Sequence, residues 1–202
     1  MKIDSAFVTL QSQGRGSMVG GLVGLLWHDS VISECSVTNS NIRASASVSD
    51  YSDSFVKNGL LISGGLVGEG YGSTITDCEV AETVSDTFDF NNAYLCYSGG
   101  IVASDNSVDI ANCVVKAWQG DKSGSNVFAI SNGMKTTNCF YSAAGVMGSL
   151  NDMNEYYKEY YPERVPVYLT EEKLNGNEII NSLGELWKKG EGGYPTLKIF
   201  AK

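Results

Sequence analysis

The sequence predicts an all-β solenoid: short parallel strands stacked in coils, followed by a mixed C-terminal cap with short helices. Three observations carry this. A glycine pair followed by two aliphatic residues and a small one recurs at Gly20-Gly21-Leu22-Val23-Gly24, Gly64-Gly65-Leu66-Val67-Gly68 and Gly99-Gly100-Ile101-Val102-Ala103. A cysteine follows the first glycine of each pair at a nearly fixed distance, with Cys35, Cys78 and Cys113 lying 15, 14 and 14 residues on. From each cysteine to the next copy the length instead runs 29, 21 and then 12 residues. One fixed and one variable stretch per repeat is what stacked units produce when insertions emerge on one face.

The elements follow in order. A half copy opens the chain, with Ile3, Ser5, Ala6 and Val8 in the places of Ile32, Glu34, Cys35 and Val37. The full copies read Ile75, Asp77, Cys78, Val80 and Ile110, Asn112, Cys113, Val115. A degenerate fourth copy reads Thr136, Asn138, Cys139, Tyr141, with Ser125 to Ala129 standing for the glycine block. The two long insertions resemble each other: Val48 to Phe55 parallels Val84 to Phe90, and Leu60, Leu61 and Ser63 match Leu95, Cys96 and Ser98. The fixed block is rich in Val, Ile, Ser and Thr and punctuated by Gly and Asn, which suits brief strands and tight bends. Ile75 and Cys78 are three apart, so they cannot both face inward on one straight strand. A corner at Asp77, and at Glu34, Asn112 and Asn138, restores both to the interior, because short polar side chains suit such bends. Four or five coils at about 4.8 Å each make a parallel β-helix about 20–25 Å tall.

The glycine block with its downstream Ile-x-(Asn/Asp)-Cys resembles the GLUG motif of bacterial surface and secreted proteins, common in Bacteroides-type bacteria. The resemblance covers residues 1–142, and Leu169 to Leu174, Trp187 and Gly193 to Leu197 are similar to the segment that closes such arrays. It implies a right-handed parallel β-helix at residues 1–145, a capping segment at residues 146–202, and exposure at the cell surface or outside the cell. It brings no catalytic residues with it.

Composition narrows the partners. A net charge of −9 with 14 Lys and Arg argues against nucleic acid, whose binding rests on neutralised phosphates. No apolar run approaches the roughly 20 residues of a membrane span, so no membrane insertion is expected. Met1-Lys2 runs straight into the half copy without a charged-then-apolar leader. The C-terminal end has a cap and the N-terminal end none, so the expectation is the C-terminal piece of a longer exported protein.

Four of the five cysteines occupy one repeat position, which reads as a buried, reduced ladder in preference to disulfides or a metal site. Asp50 and Asp53, echoed by Asp86 and Asp89, set carboxylates three apart; they read as solvated turns, with calcium as the alternative and no other cofactor expected. Asp105 and Asp109 read the same way. His28 beside Trp27 reads as a surface turn residue. Tyr156, Tyr157, Tyr160 and Tyr161 fall at helical spacing, either as a ligand-facing patch for a glycan or extracellular protein, or as the flank of an amphipathic segment at the open end. Thr170 is placed to cap a helix through Leu174 that Asn175-Gly176 ends, a second helix is expected over 178–189, and a closing strand over 194–200.

The function these readings point to is noncatalytic: a stalk or adhesin-like scaffold presenting variable loops. The alternative is a polysaccharide lyase or glycoside hydrolase, which needs two or three carboxylates converging in a groove. The acids here are scattered.

Overall fold

A backbone corner every five residues organises the chain. The computed structural model describes residues 1–12, 16–46, 60–89, 95–120, 126–133, 135–143, 146, 148–149, 155–190 and 193–200. Within them, Asp29, Glu34 and Asn39, then Gly72, Asp77 and Glu82, then Ser107, Asn112 and Ala117 all have φ between 46° and 68°. That left-handed region costs an L-residue about 1–2 kcal/mol. Two hydrogen bonds offset it at each well-formed corner. The corner N–H donates to the next layer, as from Glu34 to Thr76 O, Asp77 to Ala111 O and Asn112 to Thr137 O. The following side chain then donates back to the carbonyl two residues earlier: Ser40 to Thr38, Thr83 to Ala81, Cys78 to Thr76 and Cys113 to Ala111.

Between the corners run short strands that assemble into five parallel sheets. Sheet I holds Gly16–Gly20, Leu60–Gly64, Leu95–Gly99 and Asn126–Phe128. Sheet II holds Val23–Leu26, Val67–Tyr71 and Val102–Asn106, and sheet III holds Val31–Ser33, Thr74–Thr76, Asp109–Ala111 and Thr136–Thr137. Sheet IV holds Lys2–Asp4, Ser36–Thr38, Glu79–Ala81, Val114–Lys116, Phe140–Tyr141 and Val167–Tyr168. Sheet V holds Phe7–Ser12, Asn41–Ala46, Val84–Asp89 and Gln119–Gly120. From Gly16 to Gly120 the chain visits sheets I to V in that order three times, an arrangement consistent with a parallel β-helix.

Register tests the repeat alignment directly. Gly20, Gly64 and Gly99 are successive partners from strand to strand, as are Ile32, Ile75 and Ile110. The expected corners and the match of Cys96 to Leu61 hold. The half copy is shifted by five residues: Ile3 pairs with Val37, Val8 with Ile42, and Ala6 N–H donates to Ser40 Oγ. The reason is the five-residue corner period, which makes Val37-x-x-Ser40-x-Ile42 nearly a copy of Ile32-x-x-Cys35-x-Val37. In the fourth copy Thr136 pairs with Ile110 and Tyr141 with Val115 as aligned, but the upstream block is out by three, since Phe128, not Ser125, pairs with Gly99. Sheet II shrinks there to one bridge, Val102 to Ser131, and the layer is correspondingly shorter. Val84–Asp89 pairs with Asn41–Ala46, so it is not the counterpart of Val48 to Phe55.

The main core lies between the sheets: Val37, Leu66, Ile75, Val80, Ile101 and Val115 are fully buried. Cys35, Cys78, Cys113 and Cys139 stack among them as free, buried thiols, and Cys96 is half-buried. Burial pushes the Cys113 thiol well above its ordinary value. Ala6 stands outside this stack, so small size alone does not explain cysteine there. The position wants a small side chain that donates to the corner carbonyl. Cys113→Ser is therefore expected to stay within about 1 kcal/mol of the parent in urea unfolding. Cys113→Val removes the donor and adds bulk, and should cost about 1–3 kcal/mol.

The C-terminal segment packs on the outside of sheet IV. Helix α1 spans Glu155–Tyr160, a 3-10 turn Pro162–Arg164, α2 Glu171–Leu174 and α3 Asn177–Leu183. Thr170 caps α2 by accepting from Lys173 N–H at 3.4 Å, as expected. Helix α3 is shorter than expected because Gly184 takes φ 94° and ends it. The chain continues as Trp187–Lys189, which pairs antiparallel with Pro195–Leu197, a strand shorter than the expected 194–200. Leu174, Leu183, Trp187 and Leu197 bury against Val114 and Phe140, outward residues of sheet IV. Val167–Tyr168 meanwhile extends sheet IV by a strand, and Gly148 O accepts from Ile130 N–H.

Candidate functional site

Of the acids expected to form turns, Asp50 and Asp53 lie outside the described residues. Asp86 and Asp89 lie on a strand of sheet V, not in a turn, with Asp86 level with Arg43 and Asp89 with Ala46. The six-residue register with the neighbouring strand straightens that stretch. Among the described residues, no group of three or more His, Cys, Asp or Glu could hold a metal ion. Asp105 serves the fold: it accepts from Val108 N–H at 2.8 Å and from Ser131 Oγ, and burial raises its carboxyl above the ordinary value. Asp109 pairs at 3.7 Å with Lys135.

The tyrosines at helical spacing lie on and just past a short exposed helix. Tyr156 and Tyr160 are exposed on α1 with ring centroids 5.0 Å apart, and Tyr161, just past the helix, lies 5.8 Å from Tyr156. Arg164 stacks over Tyr161 at 5.3 Å. The side chain of Tyr157 lies outside the described residues. Nearby, the outer face of sheet III carries a groove of about 220 Å³ lined by Thr74, Thr76, Thr137, Asp109, Lys135 and Arg164. Its chemistry is hydroxyls and one ion pair, with a single carboxylate.

Sequence reasoning missed a third cluster, on the outer face of sheet II. Leu25, Glu69 and Ser104 are register partners there, as are Tyr71 and Asn106. Trp27 and His28 follow the first strand in an exposed turn, as expected for His28. The Trp27 ring lies 4.8 Å from Tyr71, tilted at 46°, and 4.8 Å edge-on from His28. Tyr71 Oη donates to Glu69 Oε1 at 2.8 Å and Ser104 Oγ to the same oxygen at 3.3 Å. That bond to a carboxylate, with some burial, holds the Tyr71 phenol above its ordinary value. The alternation Leu25-x-Trp27 and Glu69-x-Tyr71 was legible as one strand face; the meeting of the two was not.

The docked C-terminal segment has its own polar seam. Trp187 Nε1 donates to Asp77 Oδ1 at 3.3 Å, Thr196 Oγ1 donates to Glu79 Oε2 at 3.1 Å, and Lys116 Nζ sits 2.8 Å from the Tyr194 ring centroid. Burial raises the Glu79 carboxyl above its ordinary 4.5, against hydrogen bonds from Thr196 and Ser36 and the charges of Lys2 and Lys116. A raised carboxyl favours the folded state when protonated. Its contribution is full below the ordinary value of 4.5 and is lost as pH rises through the raised folded value. Glu79→Gln should therefore melt higher than the parent at pH 7, with the gap closing toward pH 4 in paired thermal melts.

Comparison with known proteins agrees with this architecture. The model of the GLUG motif matches residues 15–43, the first full glycine block through the start of sheet V. The solved structure of a candidate immunoglobulin A1 protease from Bacteroides ovatus is similar in fold, with a TM-score of 0.55 at 19% identity. The match covers 98% of this chain and 57% of that one, so this chain spans little more than half its length. No curated protein matches the chain. Among the described residues, no helix is long and apolar enough to cross a membrane.

Proposed function

We propose that the chain is a noncatalytic module of an exported bacterial surface protein, an adhesin-like scaffold that holds ligand-binding surface on rigid walls. In this reading residues 1–145 form a right-handed β-helix of four to five coils and residues 146–202 cap it. Right-handed crossovers are the rule between parallel strands of one sheet, which supports the handedness. The GLUG match and the Bacteroides neighbour support export to the cell surface. The observation that carries the scaffold role is where the acids sit: Asp105, Glu79 and Asp109 are engaged in corners, docking and an ion pair, while aromatic side chains stand exposed at Trp27, Tyr156 and Tyr160. Proteolysis has no support beyond the neighbour's name, and fold likeness does not transfer chemistry.

Two measurements test this. Protease shaving of intact cells should release peptides of this chain. The purified protein, incubated with polysaccharides and with immunoglobulin A1, should yield neither new reducing ends nor cleaved chains. Turnover of either substrate, abolished by changing one carboxylate, would establish the enzymatic alternative.

A further inference from the structure

The outer face of sheet II combines an uncovered aromatic ledge with an incompletely bonded carboxylate. Trp27 is 54% exposed and Leu25, two residues before it, 45%. Glu69 is only 7% exposed. Both of its hydrogen bonds fall on Oε1, from Tyr71 and Ser104. Oε2 accepts none among the described residues. Oε2 is not one of the buried side-chain atoms left without a partner, so it reaches the surface, where an incoming hydroxyl can donate to it. Gly72, at φ 49°, leaves the floor beside His28 without a side chain; a Cβ there would come to 3.0 Å from the imidazole Nδ1.

We propose that this ledge binds a neutral pyranose unit of a glycan, stacked on Trp27 against Tyr71, with a sugar hydroxyl donating to Glu69 Oε2. The proposal rests on the ligand-presenting reading above and names its ligand class. A pyranose has a C–H face that packs on an aromatic ring and hydroxyls at its rim, matching a site that places a flat apolar surface beside one acceptor. The groups bonded to the carboxylate are themselves hydroxyls, Tyr71 and Ser104. An acidic sugar is disfavoured by Glu69 and by the net charge of −9. Trp27 joins the site across the layers from Glu69 and Tyr71, so the ledge exists only in the stacked protein.

The other tryptophans, Trp118 and Trp187, are 4% and 2% exposed, so acrylamide quenching of the intact chain reports on Trp27. The probes are gluco-, manno-, galacto- and xylo-configured hexasaccharides, with hexalysine as the cationic comparison. At least one hexasaccharide is expected to shield the quenchable fraction. By isothermal titration calorimetry, which needs no tryptophan reporter, Trp27→Ala should weaken its binding at least about tenfold, Trp27→Phe should retain part of it, and Glu69→Gln should weaken it about tenfold. Shielding by hexalysine alone, or by no probe, overturns the proposal. A hexasaccharide whose binding survives Trp27→Ala but is lost in Tyr156→Ala overturns it too, while leaving the ligand-presenting reading intact.

Discussion

A Gly65→Ala chain is expected not to fold. A Cβ at Gly65 would lie 2.2 Å from the carbonyl oxygen of Gly100 in the next layer and 2.9 Å from Val80 Cγ1. Backbone cannot swing aside as a side chain does, so relief requires the two layers to part. Parting them breaks the bonds from Gly65 N–H to Gly99 O and from Val67 N–H to Ile101 O, each 2.8 Å. Gly21 meets Gly65 O at 2.2 Å and Gly100 meets Ala129 O at 1.9 Å in the same way, so the second glycine of each pair is a contact point between layers. The first glycine is excluded differently: a Cβ at Gly64 would strike Val67 O of its own layer at 1.7 Å. A loss above about 4 kcal/mol is exceptional for one methyl group, and against a total of about 5–15 kcal/mol it leaves little folded protein. Gly24→Ala is the control, since its Cβ would meet only Met18 O at 3.3 Å. Soluble yield and the cooperativity of urea unfolding should separate the two variants.

Trp187→Ala is expected to release the C-terminal segment while the parallel sheets stay folded. Trp187 is the largest side chain of the cluster that joins Leu174, Leu183 and Leu197 to Val114 and Phe140. Truncating a buried tryptophan costs about 3–5 kcal/mol. It also removes the donor to Asp77. The inner core is a separate cluster, with Val37, Ile75 and Val115 among its members, and does not include Trp187. Limited proteolysis should then cut between residues 171 and 200 under conditions where the parent resists. Hydrogen exchange should rise in Trp187–Lys189 and Pro195–Leu197 and stay slow in Glu79–Ala81.

The parts of the fold legible in the sequence are those fixed by steric exclusion. Gly64, Gly99 and the corner residues Asp77 and Asn112 tolerate few substitutes, so they mark the repeat plainly. The frame of the end layers was not legible, because the five-residue corner period makes Ile3 fit equally under Ile32 or Val37. Helix α3 looked longer than it is, since the pattern Ile179, Leu183, Leu186, Trp187 continues past Gly184 with helical spacing although the backbone does not. Leu186 is exposed and Trp187 is in a strand. Of the candidate sites, the Tyr156–Tyr160 pair could be read from local spacing. The meeting of Trp27 with Tyr71 and Glu69 could not, because it depends on which residues stacking brings level.

Stacking in register is what the scaffold, the glycine pairs and the ledge all depend on, and cysteine cross-linking measures it. Val31, Thr74 and Asp109 are successive partners on the outer face of sheet III, while the native cysteines other than Cys96 are buried. Neighbouring layers at about 4.8 Å fall within the Cα separation a disulfide spans; two layers, at about 9.6 Å, do not. Under mild oxidation, Val31→Cys with Thr74→Cys and Thr74→Cys with Asp109→Cys should each form an intramolecular disulfide detectable by peptide mass spectrometry. Val31→Cys with Asp109→Cys should not. Efficient linking of 31 to 109, or failure of both neighbouring pairs, would contradict the account.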